Sequence, residues 1–243
     1  MKILQNIIIF LIFITICSCN NTSSNKVKKI ENAKTSNSSV NVANPTDNSA
    51  NVITDTKEND TTITIKFKEL SITINRLQIF DENKELESIQ KDTVILYAEL
   101  GETIEGQLII ISNNQLTNVT VEQRYETSLT IMNEGPHCDL VDWKHFTSDW
   151  KALQSNKTGQ FICDKYSEKE YEKFPEIAID DIKQAVKEHC GEDWLPLVEN
   201  LKKPTEYPCS VNLSRYYLRI TGKNKNNGQT VTKLIIIELP MGC

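Results

Sequence analysis

Residues 211–239 read VNLSRYYLRITGKNKNNGQTVTKLIIIEL. Two apolar, β-branched stretches, Val211 to Thr221 and Gln229 to Leu239, flank Lys223 to Gly228, a polar loop rich in Asn and Gly. That is the pattern of an antiparallel hairpin. Tyr216 and Tyr217 put one ring on each face of its first strand, one toward a core and the other toward a surface or an interface. Antiparallel partners share a constant sum of residue numbers. Centring the loop on Asn226 sets Leu218 opposite Leu234, Tyr216 opposite Ile236 and Leu213 opposite Leu239, apolar pairs that each contribute roughly 0.2–1 kcal/mol. The same register faces Cys209 with Cys243 and predicts a disulfide between them, since directly opposed Cα atoms stand about 4.5–5.5 Å apart. It also opposes Arg219 and Lys233, a like-charge pair that argues against this register.

The β pattern extends upstream. Ile63, Ile65 and Phe67 alternate with polar residues, as do Leu70, Ile72 and Ile74. Thr93 to Leu100 is a β-branched run, and Ile104, Gly106, Leu108 and Ile110 alternate again. Val119, Val121, Tyr125, Leu129 and Ile131 keep one parity over a long strand, expected to bend or bulge near Gln123. Residues 136–205 differ. Gly135-Pro136 breaks the preceding strand, and Asp180 or Asp181 can cap a helix carrying Ile182, Ala185, Val186 and His189. Gly191 suits the position just past that helix, and Glu192 to Lys203 predicts a second, short one with Pro196 in its first turn. The fold class expected is α+β: an antiparallel, β-rich, sandwich-like sheet with a helical insertion at about 136–205 and a C-terminal β-hairpin, all in one domain spanning residues 61–243.

Residues 20 to about 60 are rich in Asn, Ser, Thr and Lys, with scattered apolar residues and no sustained period. Such composition cannot bury enough apolar surface to offset ordering entropy, so residues 19–60 read as a flexible tether with a span of roughly 35 Å. Ahead of it, Lys2 supplies a positive charge and Ile7 through Ile16 an apolar run too short to span a bilayer comfortably. Residues 1–18 therefore read as a signal peptide. Its end, Ile16-Cys17-Ser18-Cys19, resembles the lipobox of bacterial lipoproteins: an aliphatic residue, a tolerated one, a small one, then the acceptor cysteine. The resemblance covers about twenty residues. It implies a lipoprotein acylated (palmitate-type chains) at Cys19 and held on a membrane of the cell envelope. Asn20 after the cysteine, with Lys26, Lys28 and Lys29 following, favours the periplasmic face of the outer membrane over the cell surface.

The chain carries a formal charge of −6, with 39% hydrophobic and 25% charged residues. The acidic balance argues against nucleic acid as a partner, because phosphate binding needs a basic patch. Seven cysteines are present; with Cys17 removed and Cys19 acylated, Cys138, Cys163, Cys190, Cys209 and Cys243 remain. An exported domain permits disulfides, and five cysteines leave at least one thiol over.

The densest polar cluster is His137-Cys138-Asp139-Leu140-Val141-Asp142-Trp143-Lys144-His145, and His189-Cys190 adds a second His-Cys pair. Metal ligation by His137, Asp139, Asp142 and His145, with zinc or a similar ion, would support a metal-binding protein or metal-dependent hydrolase. That reading requires the four side chains to converge within about 5 Å. Their spacing matches no zinc signature, and no GxSxG elbow, P-loop or dinucleotide fingerprint occurs. The leading expectation is a tethered, non-catalytic module that needs no cofactor and binds another envelope protein, as an inhibitor, an immunity-type protein or an assembly component.

Overall fold

The computed structural model describes residues 51–57, 60–80, 92–113 and 115–241, with side chains from Thr61 onward. Cys17, Cys19, Cys243, the signal peptide, most of the expected tether and the Asp81–Asn83 turn lie outside the described residues. One sheet orders β1 (Asn51–Lys57), β2 (Asp60–Lys66), β3 (Leu70–Asn75), β5 (Leu108–Asn113) and β9 (Phe161–Ile162), antiparallel throughout. The other orders β4 (Thr93–Tyr97), β11 (Thr230–Glu238), β10 (Cys209–Asn224), β6 (Leu116–Ile131) and β7 (Cys138–Thr147), with β8 (Lys151–Ala152) also on β6. In it β4 runs parallel to β11 and the rest are antiparallel. The chain is thus α+β, β-rich and sandwich-like, and its last two strands pair as a hairpin.

Ile63, Ile65, Ile72 and Ile74 of the first sheet share one buried cluster with Val121, Leu218, Ile220 and Ile235 of the second. β6, sixteen residues long, serves two cores. Its first half joins that cluster, while Leu129 and Ile131 pack with Ile182, Ala185 and Val186 of helix α2 (Ile179–His189). A four-residue helix, α1 (Glu168–Tyr171), precedes α2; a 3-10 turn (Glu192–Trp194) and α3 (Leu195–Val198) follow. Contrary to the sequence expectation, neither Asp180 nor Asp181 caps α2; Ala178 is the N-cap, and the two aspartates sit in the first turn, where they complement the helix dipole. Gly191, at φ 97°, follows its last turn, and Pro196 opens α3.

Four further expectations are corrected. Among the described residues the sheet begins at Asn51, inside the expected tether: β1 pairs residue for residue with β2. The helical insertion starts late, because Cys138–Thr147 is strand β7. Between Leu140, opposite Leu129, and His145, opposite Ser128, β7 advances five residues while β6 advances one. Val141–Lys144 therefore bulge out of the ladder, and the bulge hides the two-residue period that marks a strand. On β6 no shift occurs at Gln123; the extra residue lies near Asn118, at φ 52°, where the β10 ladder slips between Thr221 and Lys223. Last, the hairpin register sums to 453, not 452: Leu218 faces Ile235, Arg219 faces Leu234 and Ile220 faces Lys233. This relieves the Arg219–Lys233 clash. Leu234 to Ile237 is apolar at every position, so alternation alone could not choose the parity.

The cysteines follow that correction. Cys209 is a buried free thiol opposite Ile131 rather than half of a bridge. Among the described residues a disulfide joins Cys138 to Cys190, Cα atoms 5.9 Å apart, and Cys163 is also a buried free thiol. The two His-Cys pairs of the sequence are thereby tied together, fixing the start of β7 to the end of α2.

Candidate functional site

Pleating sends alternate residues of β6 and β10 to opposite faces. The inward set is Val121, Gln123 and Tyr125 with Tyr216, Leu218 and Ile220, all buried. The outward set is Glu122, Arg124 and Glu126 with Arg215, Tyr217 and Arg219. Register places Arg219 opposite Glu122, Tyr217 opposite Arg124 and Arg215 opposite Glu126.

Glu126 is 3% exposed, so its charge must be matched. Arg215 Nη1 donates to its Oε1 at 3.0 Å and the Tyr217 hydroxyl to its Oε2 at 2.8 Å, while His145 Nε2 stands 3.7 Å from Oε2. Arg215 also reaches Asp142 at 2.9 Å and Glu238 at 3.1 Å. Burial, and then the hydrogen bond to Glu126, push the Tyr217 phenol up to about 12. It stays protonated at neutral pH and acts as a donor.

Arg124 is different. Its guanidinium lies 4.6 Å from the Tyr217 ring centroid and 4.4 Å from that of Trp150, and Arg219 meets the same indole at 4.2 Å. Trp150 comes from the link between β7 and β8. That link is fixed by a hydrogen bond from the Ser148 amide to the Tyr125 carbonyl and one from the Tyr125 amide to Ser148 Oγ, each 3.0 Å. β8 then pairs with Glu122 and Gln123, which holds the indole over the sheet. Arg219 donates to Glu122 at 2.7 Å. No described carboxylate engages Arg124, and its Nε is buried without a hydrogen-bond partner. Trp150 also walls a cleft of about 330 Å³ with Tyr125, Phe146, Tyr166 and Lys173.

The expected metal ligands do not converge. His137 Nδ1 meets Asp139 Oδ1 at 3.0 Å, and Thr130 Oγ1 donates to the same oxygen, also at 3.0 Å. Asp142 is taken by Arg215, and His145 faces Glu126. Among the described residues no group of three or more His, Cys, Asp or Glu side chains is placed to hold a metal ion. The four-residue bulge in β7 takes Asp142 out of the ladder, and Arg215 engages it there. Cys209 belongs to the core beneath α2.

Sequence reasoning missed Arg124, Trp150 and Arg219. A signal existed, since Glu122, Arg124 and Glu126 alternate with apolar or buried positions, as do Arg215, Tyr217 and Arg219. Trp150 alone gives no sign, because its place depends on the β7–β8 link.

Comparison with protein-family models, with curated proteins and with solved structures finds no match to this chain. Among the described residues, no helix is long and apolar enough to cross a membrane.

Proposed function

We propose that this chain is an envelope lipoprotein, acylated at Cys19, whose folded unit is a non-catalytic module that binds another protein through the outward face of β6 and β10. One observation carries the docking reading: Arg124, stacked on Trp150 and Tyr217, has no carboxylate or hydrogen-bond partner among the described residues, on a face where Arg215 and Arg219 are both paired. Trp, Tyr and Arg are the side chains that most often anchor protein interfaces. The Cys138–Cys190 disulfide supports export to an oxidising compartment. The lipobox supports the anchor, and residues 20–29 support the periplasmic face of the outer membrane.

Two measurements test this. A Cys19→Ser chain should fail to label with a fatty-acid analogue and should leave the membrane fraction; labelling that survives Cys19→Ser contradicts the anchor. Wild-type lipoprotein captured from envelopes should bring down a partner that Trp150→Ala loses and that Glu188→Arg, on the exposed side of α2, retains. Retention by Trp150→Ala contradicts the docking face.

A further inference from the structure

We infer that Arg124 is the recognition residue of this face and that its ligand is a carboxylate, an Asp or Glu side chain of the partner protein. The inference rests on the docking reading above. Arginine binds carboxylates through a planar fork of parallel N–H donors. Such a fork is effective when it is oriented before the ligand arrives.

Arg124 meets that condition. Its Cζ lies over two aromatic rings, 4.4 and 4.6 Å from their centroids, which restrains the group. Its Nε is buried, whereas neither Nη belongs to the buried unpaired atoms, and no hydrogen bond holds them. The Nη edge of the guanidinium is therefore not fully buried. The neighbouring arginines already meet carboxylates. Arg215 is 16% exposed and bonded to three carboxylates; Arg219 gives its Nε to Glu122.

The same neighbours select the ligand. Glu122 and Glu126 flank Arg124 on its own strand and face. A dianionic phosphate would meet about twice the repulsion from them that a monoanionic carboxylate meets. The chain's charge of −6 adds to that penalty. A single carboxylate on the fork makes two charge-assisted hydrogen bonds and completes the row without a second negative charge.

Sparse arginine and tryptophan make the test clean. The chain has four arginines and three tryptophans, so ¹⁵N labelling of these types gives few signals. The full lipoprotein, in detergent micelles, is titrated with an acetylated, amidated Gly-Glu-Gly peptide, which carries one carboxylate, and, separately, with inorganic phosphate. The Arg124 Nε–H and Trp150 indole signals should shift together and saturate with the peptide. Arg124→Lys keeps the charge and loses the fork, and should weaken the peptide about tenfold or more, read at the Trp150 indole. No shift at Arg124, an undiminished affinity in Arg124→Lys, or tighter binding of phosphate than of peptide overturns the inference. If the peptide fails while Trp150→Ala still loses the captured partner, the carboxylate is wrong and the docking face stands. If Trp150→Ala keeps the partner, the docking reading itself falls.

Discussion

Glu126 is the residue on which the outward face depends. Its carboxylate is buried and held by Arg215 and Tyr217. Removing one member of a buried pair leaves the other uncompensated, which costs about 3–5 kcal/mol. Glu126→Ala should lower unfolding free energy by that order in urea melts, and Glu126→Gln, which still accepts hydrogen bonds, by less. The two adjacent phenols make a second prediction. Burial raises Tyr216 and Tyr217 from the usual value near 10 to about 12, and Tyr217 also donates to Glu126. Below pH 10 both are protonated in either state. Between pH 10 and 12 the unfolded chain releases protons that the folded chain retains, so stability falls as pH rises. Urea melts at pH 9 and pH 11.5 should differ by on the order of 2 kcal/mol for each phenol. Equal stability at the two values would contradict the burial of both rings.

Helix α2 is pinned to β7 at both ends. Cys190, its C-cap, is bonded to Cys138, and Asp181 in its first turn meets Lys144 of the bulge at 2.9 Å. The disulfide closes a separation of 52 residues, for which chain entropy gives about 4 kcal/mol. Non-reducing peptide mapping should find Cys138 joined to Cys190, with Cys163 and Cys209 reacting with thiol reagents only on unfolding. A Cys209 bridge in that map would contradict the fold beneath α2. Ile182 is fully buried there, and Ile182→Ala should cost about 2–5 kcal/mol. The α2 helix, its Gly191 stop, the long β6 and the final hairpin were all legible, because each has a sustained period and end signals of its own. Strand β7 was not, since four residues leave its ladder. Nor was the one-residue shift of the hairpin, since Leu234 to Ile237 are apolar on both faces. The candidate site was half legible: its outward rows follow from strand parity, but the contact of Trp150 with Arg124 joins segments whose pairing no local pattern states.

Across the molecule, β6 ties the sandwich core to the helical core, and its other face carries the arginine-aromatic row. The inward face is thus committed to folding, while the outward face carries Arg124 with no carboxylate partner among the described residues. A docking partner there would bury Trp150, Tyr217 and the Arg124 fork as its centre, with Thr120 and Thr221 beside them in the same rows. The most direct test is photo-crosslinking of the full chain in living cells, with a benzophenone amino acid replacing Thr120 and, separately, Glu188 on α2. A discrete crosslinked protein is expected from position 120, lost when Arg124→Ala is added, and none from position 188. A crosslink from position 188 alone, or one from position 120 that survives Arg124→Ala, would contradict it.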